Sequence, residues 1–218
     1  LWDDRQIYQS ADMENYETWR PEEDNDLSFR ELQAINPEVI GWLTVYGTKI
    51  DYPVLKGKEW NEYLHKNYEG DYSYAGSIFI QPGTSFDDRH LVIYGHNMRV
   101  KSMFGSLHDF ESEDFYKKHN KIYLYQPGKT IKCTIYSVYD CLDKSATYNT
   151  DFSVDGNDNK WVDWLTMTVN NNAYYPIKKK PAEKDHIITL STCSGKQKGD
   201  SYRFVVHSLV TDTVIYEE

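Results

Sequence analysis

The period of apolar and polar positions changes near residue 41. Before it, Trp2, Ile7, Met13, Tyr16 and Trp19 recur loosely at helical spacing until Arg20-Pro21 and an acidic run interrupt them. A second helix is predicted from Ser28, which forms a capping box with Glu31, to the break at Asn36-Pro37. From Gly41 the pattern becomes short β-branched and aromatic runs punctuated by Gly, Pro and Asn. These predict eight strands, over 41–46, 49–54, 76–81, 90–95, 121–125, 129–139, 186–193 and 202–216. Helical stretches are expected near 59–64 and 103–118, with a longer one over 158–170 carrying Trp161, Trp164, Leu165 and Val169. Eight strands in one unit predict a mainly β fold, a closed barrel or a sandwich, because closure removes exposed edges. The expected organisation is a helical appendage over 1–40 packed on a β domain over 41–218, without internal repeats.

Composition narrows the class of partner. Over 218 residues, 39% hydrophobic and 27% charged positions fit a globular chain, and no stretch approaches the ~18 apolar residues of a membrane span. With 24 Lys and Arg against 34 Asp and Glu, the net charge of −10 argues against nucleic acid, whose nonspecific affinity comes from neutralised phosphates. The 19 Tyr and 6 Trp suit the two-faced strands of a β protein, and equally a groove for an extended ligand. The start at Leu1 reads as a trimmed or mature fragment, from which a targeting or anchoring segment could have been removed, so its absence says little about location.

Three motifs are set aside. Asp155-Gly156-Asn157-Asp158-Asn159 opens like a calcium loop, but Lys160 and Thr166 stand where the turn glycine and the bidentate glutamate belong. Gly195-Lys196 lacks the upstream glycine of a phosphate loop, and Gln197 replaces its hydroxyl residue. Lys178, Lys179 and Lys180 read as a solvated loop rather than an acidic partner's site.

The 3 cysteines, Cys133, Cys141 and Cys193, are odd in number, so at least one thiol is free or intermolecular. Cys133 and Cys141 lie in one extended run, roughly 26 Å apart, and cannot bridge. No spacing matches a zinc ligand set. Cys193 ends the apolar run 186–193, where a rigid strand opens into a loop and can present a nucleophile. The alternative is the inert core thiol that most free cysteines are. A thiol nucleophile needs a proton-transfer partner, and of 7 histidines His96 stands out, delivered by Leu91-Val92-Ile93-Tyr94-Gly95 at the end of another apolar run. Arg203, inside Tyr202-Arg203-Phe204-Val205-Val206-His207, is a candidate for stabilising an oxyanion, or a structural arginine paired with a carboxylate. If the runs around Cys193 and Tyr202 pair as a hairpin, thiol and guanidinium are close.

Thr189-Leu190-Ser191-Thr192-Cys193 followed by Arg203, with Gly95-His96 upstream, resembles the sortases, class B in particular. Supporting matches are Ile35-Asn36-Pro37-Glu38-Val39-Ile40-Gly41-Trp42, Asp51-Tyr52-Pro53-Val54, Gly76-Ser77-Ile78-Phe79-Ile80 and Leu91 to Met98. The resemblance implies an eight-stranded closed β barrel with N-terminal helices and an inserted helix between the sixth and seventh strands. It implies a cysteine transpeptidase at the outer face of a Gram-positive membrane, anchored through an N-terminal segment absent from this sequence. Carried over, Cys193 is the nucleophile, His96 the general acid/base and Arg203 the group orienting substrate or stabilising the oxyanion. The thiolate attacks the threonine carbonyl of a C-terminal sorting motif on a surface protein, and a peptidoglycan amine resolves the thioester. Ser191 and Thr192 are candidate substrate contacts, Ser191 the better because it shares strand parity with Cys193, and Asn97 is a weaker third. No metal or organic cofactor is required. Two rivals remain at this point, a cysteine peptidase that mainly hydrolyses and a non-catalytic surface barrel that binds peptide in a Tyr-rich groove.

Overall fold

The computed structural model describes residues 26–152, 159–195 and 201–216. The helix expected over the first twenty residues, most of the 155–159 loop and Lys196 lie outside the described residues. The strands are β1 (Val39–Val45), β2 (Asp51–Lys56), β3 (Ile78–Ile80), β4 (His90–Tyr94), β5 (Lys121–Gln126), β6 (Lys129–Leu142), β7 (Ile187–Cys193) and β8 (Tyr202–Ile215). They close into a barrel in the order β1-β2-β3-β4-β7-β8-β6-β5. The pairs β2–β3 and β4–β7 are parallel and the others antiparallel. A barrel rather than a sandwich is therefore the outcome, and every strand predicted from sequence is present.

Helix α1 (Asp26–Ile35) buries Phe29 and Leu32, one helical turn apart, in the main core, and stops before Pro37. It begins at Asp26, upstream of the expected cap, so Ser28 lies in the first turn rather than ahead of it. The expected helix over 103–118 is two pieces, a 3-10 turn over Gly105–Glu111 and helix α2 (Glu113–Lys118). Ser112 is extended between them, and its side chain accepts the Phe115 N–H, restarting the helix. Near 59–64 only a 3-10 turn over Glu62–Leu64 forms.

Helix α3 (Asn159–Asn170) is the insertion between β6 and β7. It buries Trp161, Trp164, Leu165 and Thr168 on one stripe, while Val169 is partly buried. The two indoles stack 5.3 Å apart and donate to the carbonyls of Glu183 and Ala146, satisfying the polar atoms that their burial would strand.

Alternation gives the wall β4-β7-β8 two different faces. Leu91, Ile93, Ile188, Leu190, Phe204 and Val206 point into the main core, each such side chain stabilising the fold by ~1.5–3 kcal/mol. The opposite face runs outward through His90, Thr189 and His207 under α3 and then through Tyr94, Ser191, Cys193 and Arg203 where α3 no longer covers it. One face thus carries a dry, buried half and an open half.

The buried half is a continuous hydrogen-bonded chain. His90 and His207 are both 0% exposed, and Thr189 Oγ1 lies 2.8 Å from His90 Nε2 and 2.7 Å from His207 Nδ1. His90 Nδ1 is 2.7 Å from the Asn149 carbonyl, which can only accept, so His90 carries its proton there and Nε2 accepts from Thr189. Thr189 then accepts from His207 Nδ1–H, and His207 Nε2 accepts from Tyr139 OH at 2.9 Å. Every proton is used once with both rings neutral, in keeping with the burial that lowers both imidazole pKa values.

Candidate active site

The open half of this face forms the floor of a cavity of about 710 Å³ lined by, among others, Leu64, Tyr94, His96, Tyr148, Cys193 and Arg203. Cys193 is the exposed last residue of β7, and its strand partner on β8 is Arg203. Directly opposite residues of an antiparallel pair share a face, so thiol and guanidinium stand side by side in the cavity. The hairpin expected from sequence is thus present, with the two candidates in register.

His96 follows β4, which runs parallel to β7 and ends two register positions short of the cysteine, Tyr94 opposite Ser191. The imidazole Nε2–H donates to the Leu64 carbonyl at 2.8 Å, which leaves Nδ1 as the nitrogen able to exchange a proton. The ring is stacked on His65 at 5.3 Å and on Tyr74 at 6.4 Å. Desolvation, opposed by the Leu64 bond and helped by the nearby His65, holds its pKa below the ordinary value. The lowered pKa makes the protonated imidazole a stronger acid than an ordinary one.

Two glycines permit this arrangement. Gly95 lets the turn before His96 pass against Ile78 and Phe104, where a Cβ would sit 2.5 Å from Ile78 Cδ1. Gly76, at φ +59°, lies under the Leu64 carbonyl, where a Cβ would come within 2.3 Å of the oxygen that holds His96.

Arg203 is half-buried, with Nη1 donating to the Tyr202 carbonyl at 3.2 Å and Nη2 lying 3.8 Å from Asp143 Oδ2. Ser191 is buried and shares a hydrogen bond of 2.7 Å with Tyr148 OH, fixing the wall segment 146–150, of which Tyr148 and Thr150 line the cavity. Thr192 also borders the cavity, and its hydroxyl donates to the Gly95 carbonyl at 2.8 Å, tying β7 to the turn before His96. Asn97 is not among the residues lining this cavity, and its amide donates to the Cys193 carbonyl at 2.8 Å. Tyr94, Tyr148, Asp143 and the exposed Trp60 border the site without any sequence signal that singles them out. The other thiols differ: Cys133 is buried with its pKa pushed up to about 12, and Cys141 is raised by burial.

An exposed thiol, an anchored imidazole and a guanidinium converging in one cleft can carry out acyl transfer. The Sortase domain family matches residues 43–210. The chain belongs to the sortase family. Sortase B of Listeria monocytogenes is 36% identical over 186 residues, covering 84% of this chain and 74% of that protein. Sortase B of Staphylococcus aureus is 30% identical over 185 residues, covering 82% and 72%. Among solved structures, a Staphylococcus aureus sortase B–substrate complex aligns with a TM-score of 0.78 at 27% identity, covering 95% of this chain and 94% of that one. Clostridium perfringens sortase B aligns at 0.77 and 33% identity, covering 84% and 100%. These matches make it a class B sortase enzyme, a transpeptidase in general type.

Proposed function

We propose that this sortase cleaves a C-terminal sorting motif of surface proteins after its threonine and transfers the acyl group to a peptidoglycan amine. The observation that carries the reading is the register pair of exposed Cys193 with Arg203 in the cavity that His96 also lines. The Cys193 thiol gives its proton to His96 Nδ1 as Sγ bonds to the threonine carbonyl carbon, and Arg203 faces the oxygen on which negative charge develops. As the peptide C–N bond breaks, His96 gives its proton to the departing amine, leaving a thioester on Cys193. An incoming amine then attacks that carbon, its surplus proton passes to His96, and the thiolate leaves. Ser191, Thr192 and the 146–150 wall are the proposed substrate-side contacts. A substrate complex and a triglycine complex of sortase B are in keeping with both halves of the reaction. Acting on such substrates, the enzyme works at the outer face of the membrane, held by an N-terminal anchor, and the reaction uses no metal or organic cofactor.

Intact-mass spectrometry of the wild type and Cys193→Ala with sorting-motif peptides, with and without a wall-derived amine, tests this. An acyl adduct on the wild type alone that passes to the amine is expected. Release to water despite excess amine would make the protein a peptidase, and binding by both proteins without any adduct would leave a peptide-binding barrel.

A further inference from the structure

The parallel ladder between β4 and β7 stops just before the cysteine. Gly95 N–H donates to the Ser191 carbonyl at 3.2 Å, the last backbone bond from the β4 side. Carbonyls two residues apart on a strand point the same way, so Cys193 O is the next acceptor awaiting a donor from β4. Had β4 continued, the backbone N–H of Asn97 would have filled that position. The chain turns away instead, which opens the cleft, and the side chain of Asn97 supplies the donor, Nδ2 to Cys193 O at 2.8 Å.

Asn97 is itself held. His108, in the 3-10 turn over Gly105–Glu111, is stacked on Phe204 of β8 at 4.4 Å, and its Nε2 lies 3.1 Å from Asn97 Nδ2 and 3.1 Å from Cys193 O. Its Nδ1 lies 2.7 Å from Glu111 Oε1. With Nε2 protonated the ring itself donates to Cys193 O; with Nδ1–H donating to the Glu111 carboxylate, Nε2 accepts one Asn97 N–H while the other goes to Cys193 O. In the latter form the ring fixes which end of the Asn97 amide faces the carbonyl. On the other side of the same turn, Ser194 N–H donates to the Tyr202 carbonyl at 3.1 Å and Ser194 Oγ to Asp140 at 2.5 Å.

We infer that Glu111, His108 and Asn97 form a positioning relay that replaces the missing partner of Cys193 on the β4 side and holds the nucleophile in register at the open end of the barrel. The inference rests on the acyl-transfer reading for its kinetic consequence, but not for its structural one. A thiol displaced by about 1 Å loses on the order of 10²-fold in rate.

The test uses Asn97→Ala, Asn97→Asp, His108→Ala and His108→Gln. Asn97→Asp keeps the shape and turns the donor into an acceptor, and His108→Gln retains an acceptor for Asn97. The readouts are kcat and KM on a sorting-motif peptide, the rate of Cys193 alkylation by iodoacetamide, and hydrogen exchange of the Ser194 amide against that of Leu190. Both Asn97 variants should lower kcat by about 10²-fold with KM within about twofold, change the alkylation rate and speed Ser194 exchange while Leu190 stays protected. His108→Ala should show the same changes at smaller size, and His108→Gln should recover most of the rate. Wild-type behaviour of Asn97→Asp and His108→Ala in exchange and alkylation overturns the relay. So does a loss in which kcat and KM worsen together and glutamine restores nothing, because that is general destabilisation. If the wild type cleaves no peptide, the proposed reaction fails, while alkylation and exchange still decide the relay.

Discussion

Acidification singles out the histidine chain beneath α3. His90 is fully buried and neutral, and burial lowers its pKa from 6.5 to about 4, against the opposing effect of its bond to the Asn149 carbonyl. In the unfolded chain the same imidazole takes up its proton near pH ~6.5. Between those two values the unfolded state binds more protons than the folded one, so stability is complete above about pH 6.5 and falls as the pH drops toward about 4. At ~1.36 kcal/mol per pH unit the full effect of this one residue is on the order of 3 kcal/mol. That is a large share of the ~5–15 kcal/mol by which domains are usually stable. His207 is lowered in the same direction by burial and by His90, so it adds to the slope. The assay is urea unfolding of the wild type and His90→Gln at several pH values between about 7.5 and 4.5. Glutamine can still donate to Asn149 O but cannot ionise, and the carboxylates common to both proteins cancel in the comparison. Relative to its own value at pH ~7.5, the wild type should lose about 2–3 kcal/mol more than the variant by pH ~4.5. Parallel curves would refute the claim that a buried neutral His90 couples folding to pH.

Three further outcomes follow from particular contacts. Gly76→Ala forces a methyl against the Leu64 carbonyl and should lower kcat by about 10²-fold through His96, with peptide KM little changed in steady-state assays. Trp164→Ala removes a buried indole stacked on Trp161 and packed at a tilt against His90 and should cost about 3–5 kcal/mol in denaturant unfolding. Iodoacetamide at neutral pH should modify Cys193 first in the native protein, and reach Cys133, buried with its thiol pKa pushed up to about 12, only on unfolding, as read by peptide mass mapping.

The strands were legible because each is a short run of β-branched and aromatic residues between turn formers, and both Cys193 and His96 follow such runs directly. Their convergence was not. It depends on β4 lying parallel to β7, a pairing between segments nearly a hundred residues apart that no local pattern encodes. The break at Ser112 was readable in principle, since a serine followed by two acidic residues is a helix start inside an otherwise helical stretch. Asn97 illustrates a deeper limit. A polar residue just past a strand can face ligand, solvent or backbone, and only the early end of β4 decides that it serves the Cys193 carbonyl. Tyr148 and Asp143 gave no signal because they sit in the connection after β6, whose path is set by bonds to β4 and β7 and by Trp164.

The two halves of the outward face explain each other. A cleft on the outside of a barrel needs a wall, and here residues 146–150 supply it, although that segment has only a single short 3-10 turn of its own. Four side chains fasten it: Trp164 to the Ala146 carbonyl, Tyr139 to Thr147, Tyr148 to Ser191 and His90 to the Asn149 carbonyl. Two of those, His90 and Tyr139, are the ends of the buried histidine chain, which crosses β4, β7, β8 and β6 through Thr189 and His207. Along β7 the register runs from Thr189 in that chain through Ser191 against Tyr148 to Cys193 in the open, all on one face of one strand. The inserted helix therefore does more than cover apolar surface. By keeping Thr189 and its histidines dry, it makes the bonds that hold the cleft wall strong, because a hydrogen bond shielded from water has no solvent competitor. The thiol two residues beyond Ser191 stays exposed to substrate because the helix stops short of it.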